Sequence, residues 1–186
     1  MSIVELFKYN SLVSIPLFLT VAFLVMRTAT GYSHKLHTIS KSVEYYPNVS
    51  MRRLFNGNFL LKALIDYGFL LYLIVFAGIA WNSLPAVLLF MAISMFGMLG
   101  VFTEGSHSNL HRMLAYTIST VWTVVEILLA QRTGNALFIL FTYPMAIIPT
   151  GIAYLYLFKK TLNVYMQLVI AFFIEAWLCV YVFVFL

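Results

Sequence analysis

Thr103-Glu104-Gly105-Ser106-His107-Ser108-Asn109-Leu110-His111-Arg112 is a polar island between two apolar runs, 84–103 and 111–131. Such a connector between runs of about 20 apolar residues is the pattern of two helices crossing roughly 30 Å of hydrocarbon. Working outward, four further runs qualify: 10–29, 59–81, 135–158 and 164–186. The runs are unbroken rather than alternating, so they predict helices and not barrel strands.

Composition agrees. Of 186 residues, 63% are hydrophobic and 9% charged, whereas soluble domains carry roughly a quarter charged residues. A chain so poor in charge cannot coat a water-facing surface. The expectation is an all-α polytopic membrane protein, one domain over 1–186, with six transmembrane helices in one bundle. The run after Lys8 is long and ends at basic Arg27, so it is read as a retained span and not a cleaved leader.

Residues 30–58 form the one long connector, expected as a basic cytoplasmic loop between helices 1 and 2. Leu36, Ile39, Ser40 and Val43 recur at helical spacing within it, predicting a short interfacial helix that Pro47 ends. Arg27, Lys35, Lys41, Arg52, Arg53, Lys62, Arg112, Lys159 and Lys160 fall on this side, against Lys8 and Arg132 on the other, nine to two. The positive-inside rule places this side in the cytoplasm and both termini outside. Asn48-Val49-Ser50, a glycosylation motif by spacing, would then face the wrong compartment. The basic excess suits anionic lipid headgroups, with Arg52, Arg53 and Arg112 as anchors, and not nucleic acid.

Two constellations could carry chemistry. In the first, Glu104, His107 and His111 stand at i, i+3, i+7, one face if helical. Imidazole and carboxylate suit acid–base work or a zinc or iron site, and His34 and His37 fall on the same side. Gly105 and Ser106 favour a turn instead, Asn109 is a candidate helix cap, and an interfacial structural role is the plainer reading. No motif names a cofactor, and none is expected.

The second constellation is intramembrane. Counted from the cytoplasmic ends of the spans, Asp66 is about 10 Å deep, Glu175 about 16 Å and Glu126 about 22 Å. A charge at mid-bilayer costs ~2.5–3.5 kcal/mol on insertion scales. Such groups turn inward, find partners or stay neutral. Tyr116, Ser119, Thr120, Thr123 and Glu126 form one stripe of the fourth span, expected to face the bundle interior. These acids, with Tyr116 and Thr123, are candidates for binding a proton or a polar substrate. Pro144 and Pro149 should kink the fifth span and free carbonyls for inward polar groups. Gly97 and Gly100, with Ala92 and Ser94, permit close helix approach. Tyr45, Tyr46, Trp81 and Tyr165 lie near span boundaries, where amphipathic rings are favoured.

Ile39-Ser40, Arg53-Leu54-Phe55-Asn56 and Glu104…His107…His111…Ala115 together resemble a six-span family of integral membrane proteins without an assigned activity. That family is itself distantly similar to the DRAM/Sfk-type membrane proteins. The family pattern has Ile-Ser before the second helix, Asn entering it (Asn56 or Asn58 here), and His followed four residues on by Ala. The resemblance implies a six-helix fold with a polar cluster on the cytoplasmic side. It implies no reaction.

Three function classes follow. The favoured one is a non-catalytic component, a subunit of a larger membrane assembly, self-associating or lipid-associated, with membrane lipids as partners. The second is a proton-linked transporter or channel using Asp66, Glu126 and Glu175, which requires a cavity reaching those acids. The third is a membrane enzyme acting on lipid headgroups through Glu104, His107 and His111.

Overall fold

Each apolar run forms a helix. The computed structural model describes residues 3–159 and 162–186. Its long helices are α1 (Asn10–Met26), α2 (Val49–Val75), α3 (Leu84–Val101), α4 (Ser108–Thr133), α5 (Ala136–Lys159) and α6 (Val164–Val180). Short turns over Ile3–Leu6 and Phe7–Tyr9 lead into α1, and a π-helical turn, Tyr181–Phe185, extends α6. With these extensions all six are long and apolar enough to cross a membrane, and every regular element among the described residues is helical.

The largest departure from expectation is α2, which begins ten residues before the expected 59 and ends at Val75. Asn48, extended at φ −136°, caps it by accepting from the Met51 N–H at 2.8 Å. Side-chain capping of an otherwise orphaned amide is the ordinary way such a helix starts. The connector therefore shrinks to 27–48. Arg52 and Arg53 sit in the first turns of α2, not in a loop. The interfacial helix is a 3-10 turn, Ser40–Tyr45, with Ile39 and Val43 buried and Leu36 exposed. Tyr46 is extended at ψ 133°, as a residue before proline should be. Lys160, part of the expected basic fifth connector, lies outside the described residues.

Each long helix packs on the next, and α6 returns against α1, so the six close into a ring. The chain ends meet on the far side from the connector, where the Tyr9 and Phe183 rings lie 5.9 Å apart. Close approach is built in between α2 and α3. A Cβ on Gly100 would stand 2.4 Å from the Asn56 carbonyl oxygen, and one on Gly97 3.3 Å from the Ala63 methyl. The outer faces carry exposed Leu64, Leu137 and Phe172, the lipid-facing exterior that a spanning bundle requires.

Two apolar clusters fill the ring ends. Phe18, Phe55, Phe59, Leu99, Leu114 and Val164 pack near the connector. Phe69, Leu73, Leu89, Leu129, Phe138 and Trp177 pack toward the termini.

Candidate functional site

The helix ring leaves an elongated cavity of ≈ 260 Å³ lined by residues from all six helices. At the connector end, taken here as its mouth, it is lined by Thr38, Glu104, His111, Arg112 and Gln167. Its floor is set by Asp66, Leu89, Glu126 and Leu178.

Residues 27–48 form a cap over the mouth. Thr38 Oγ1 donates to Glu104 Oε2 at 2.6 Å, and the Ile39 N–H donates to Gln167 Oε1 at 2.6 Å. The first N–H of α6, on Val164, donates to the His34 and His37 carbonyls at 3.3 and 3.1 Å. The cap is held internally by Tyr32 and Tyr45 packed on the His37 ring, with Tyr45 OH 3.1 Å from His37 Nε2. Ser42 Oγ lies 2.6 Å from Tyr46 OH. Burial pushes the Tyr46 phenol up to about 12, against the opposing pull of the Ser42 hydrogen bond. Burial, then the charges of Tyr46 and Glu104, raise Tyr32 as well.

The first constellation comes together only in part. Glu104 and His111 are buried, and Arg112 Nη2 is 3.8 Å from Glu104 Oε1. His111 Nδ1 lies 2.6 Å from the Phe102 carbonyl oxygen. A carbonyl only accepts, so Nδ1 carries the hydrogen. This bond also satisfies an orphan carbonyl at the end of α3. His107 does not join them. It is exposed, 2.8 Å from Ser106 Oγ and edge-on to Phe102. The reason is local: α4 starts at Ser108, so 104–107 is a turn and the expected helical face never forms. His107, not Asn109, occupies the cap position, without a side-chain capping bond. His34 and His37 are engaged within the cap and against Phe23. Among the described residues no three His, Cys, Asp or Glu side chains could share a metal ion.

The second constellation is largely assembled. Tyr116, Ser119, Thr123 and Glu126 line the cavity. Thr120 does not, bonding instead to the Tyr116 carbonyl at 3.1 Å and standing 3.3 Å from Tyr154 OH. Glu126 is 1% exposed and accepts from Trp122 Nε1 at 2.7 Å. Thr123 reaches the proline-bearing α5, with its hydroxyl 3.1 Å from the Ala146 carbonyl and hydrogen-bonded to Thr150. The carbonyls that Pro144 and Pro149 leave without an i+4 N–H are those of Leu140 and Met145, so this bond is not the partner the prolines were expected to need.

Asp66 lies about 25 Å along α2 from Val49, and Glu126 about 27 Å along α4 from Ser108. Asp66 pairs with Lys62, one turn earlier. The Lys62 ammonium also sits 4.6 Å from the Phe96 ring centroid. Lys62, expected on the basic flank, lies about 20 Å along α2 from Val49. Glu175 does not line the cavity. Its Oε2 is buried without a hydrogen-bond partner, and the fields of Lys62 and Asp66 reach it. Glu126 instead accepts from the Trp122 indole.

Below the floor the Phe138, Trp177 and Tyr181 rings stack at 5.7 and 5.0 Å, with Trp177 Nε1 donating to Thr142 at 2.8 Å. Beyond this plug a second hollow of ≈ 250 Å³ holds Arg132, Thr133 and Tyr72. Arg132 Nη2 donates there to the Gly78 carbonyl at 2.7 Å. Reasoning from sequence missed Thr38, Gln167, Lys62 and Trp122. Only Lys62 carried a usable signal: an i, i+4 pair with Asp66 is a standard helical ion pair.

Fold and site together define a multi-pass helical membrane protein with a capped internal cavity. No family model, curated protein or solved structure matches the chain.

Proposed function

We propose that the protein is a proton-linked membrane carrier or channel whose cavity holds a small solute, with Asp66 and Glu126 as its proton-binding groups. What carries this reading is one observation: both acids line one cavity within the helix ring, which extends to the connector end. A purely structural subunit needs no such hollow, and packed interiors seldom leave one. The volume falls just under the range of about 300–1,000 Å³ usual for small-molecule sites, which favours a small solute. The arrangement of capped mouth, acidic floor, aromatic plug and far hollow fits a pathway closed at one level. Lipid surrounds the outer faces, with Arg52 and Arg53 toward headgroups, whereas Arg112, expected with them, turns inward to Glu104.

In this reading the connector end faces the cytoplasm, because basic residues gather there, and both termini face the other side. The headgroup-enzyme reading loses His107, which points away from the other candidates.

The test is proton movement in proteoliposomes under an imposed potassium-diffusion potential. Wild-type protein should acidify or alkalinise the lumen faster than empty vesicles, and Glu126→Gln and Asp66→Asn should slow it. Wild-type rates equal to empty vesicles, or rates untouched by both substitutions, overturn the proposal.

A further inference from the structure

We infer that the cavity is a site for a small organic cation, a protonated amine on an apolar body, with Glu126 as its counter-ion. The inference rests on the carrier reading above and names its substrate class.

The argument is a charge balance over the lining. Its other titratable groups are Lys62, Asp66, Glu104, His111, Arg112 and Tyr116. Lys62 is paired with Asp66, and Arg112 faces Glu104. His111 is bound to the Phe102 carbonyl. The α1, α3, α5 and α6 walls add no charged side chain to the lining. Among the described residues no cation pairs with Glu126. It is the one acid of the cavity left over, and it accepts its hydrogen bond from the neutral Trp122 indole. A buried carboxylate is tolerated when it is neutral or faces a cation. An incoming ammonium supplies that cation.

The walls suit the rest of such a ligand. Phe18, Phe59, Phe69, Phe96 and Trp122 line the cavity, and aromatic faces attract cations when both are desolvated. The Lys62 ammonium on the Phe96 ring shows a cation already held that way in this lining. An anion would meet Glu126 with no free cationic partner beside it. Like charge in a poorly screened site is repulsive.

One carboxylate then serves two ligands in turn. Either Glu126 holds its proton, or the proton leaves for bulk water and the ammonium takes its place. Amine and proton compete, and that competition couples their movements.

The experiment is equilibrium dialysis of radiolabelled phenethylamine against the full-length protein in lipid nanodiscs. Its neutral and anionic analogues, 2-phenylethanol and 3-phenylpropionate, serve as comparators. Saturable amine binding is expected, weakening as pH falls and releasing protons in weakly buffered solution. Glu126→Gln should bind at least about thirtyfold more weakly, the loss expected when one partner of a buried charge pair is removed. Glu126→Asp keeps the carboxylate and should retain binding, which separates loss of charge from loss of fold. Amine binding unchanged by Glu126→Gln, absent in wild type, or matched by the anion or the neutral analogue overturns the inference. If proton flux persists without amine binding, the carrier reading survives and only the cation site falls.

Discussion

Thr38 and Glu104, 66 positions apart in the chain, share a 2.6 Å hydrogen bond in which the Thr38 hydroxyl donates to a buried carboxylate. That bond ties the cap to the connector between α3 and α4. Arg112, at 3.8 Å, neutralises the same carboxylate from the start of α4. Glu104 is therefore a latch: it joins the cap, the connector and α4 at the cavity mouth.

Unlatching should expose the mouth. A hydrogen bond to a charged group contributes about 1.5–3 kcal/mol, so Thr38→Val should raise the open population of the cap at least tenfold. Ser40 lines the cavity at this level and is buried. A Ser40→Cys probe should react faster with a membrane-impermeant thiol reagent when combined with Thr38→Val. The endogenous Cys179 is replaced by Ala in both backgrounds. Equal labelling rates would show that the cap is held by Gln167 and Val164 alone.

Alkali should loosen the same cap. Burial raises the Tyr46 phenol from 10.0 to about 12, so the folded state favours its neutral form. The stability this contributes is complete below pH 10 and is lost as pH rises toward about 12. Hydrogen exchange over residues 40–46 should accelerate in that window, with a smaller rise in Tyr46→Phe. Identical profiles for the two proteins would remove Tyr46 as the cause.

The six spans were legible because each is a run of about 20 apolar residues, and no soluble helix needs that. The inward stripe of α4 was legible for a related reason: Tyr116, Thr123 and Glu126 have nowhere else to go. The start of α2 was hidden. Asn56-Gly57-Asn58 reads as a loop, yet Asn58 gives its amide to the Phe18 carbonyl at 2.8 Å and so belongs inside the ring. Misplacing that start put Lys62 and Asp66 near the beginning of the helix, whereas they stand about 20–25 Å along it. A cavity reaching Asp66, Glu126 and Glu175 was an expectation of the carrier class, and the one present reaches Asp66 and Glu126 but not Glu175; its closure by α6 on α1, a contact between the two ends of the chain, has no local signature.

Gly100 and Gly57 should respond oppositely to alanine. At Gly100 a Cβ meets the Asn56 carbonyl at 2.4 Å and the Phe59 Cβ at 3.0 Å, both on rigid α2. Gly100→Ala must push α2 and α3 apart and should cost about 1–3 kcal/mol, as overpacking does. At Gly57 nothing lies within 4 Å, so Gly57→Ala should be neutral or stabilising by up to about 1 kcal/mol. Thermal unfolding in a mild detergent reads both. A Gly100→Ala protein as stable as wild type would mean the helices are not so close.

The Lys62–Asp66 pair offers the sharpest test of the intramembrane assignment. Its side chains are only 13% and 11% exposed, and the pair sits about 20–25 Å along α2. Removing one partner of a buried pair strands the other charge and typically costs 3–5 kcal/mol, whereas replacing both by apolar residues is often neutral. Asp66→Leu should therefore destabilise strongly, leaving the Lys62 ammonium only the Phe96 ring and the carboxylate of Glu175. Lys62→Met should do the same by leaving Asp66 uncompensated. The double variant should recover most of the loss in thermal unfolding. Were Lys62 instead at a wet surface, as its place near the basic connector first suggested, each single substitution would change stability by under about 1 kcal/mol and the two would add.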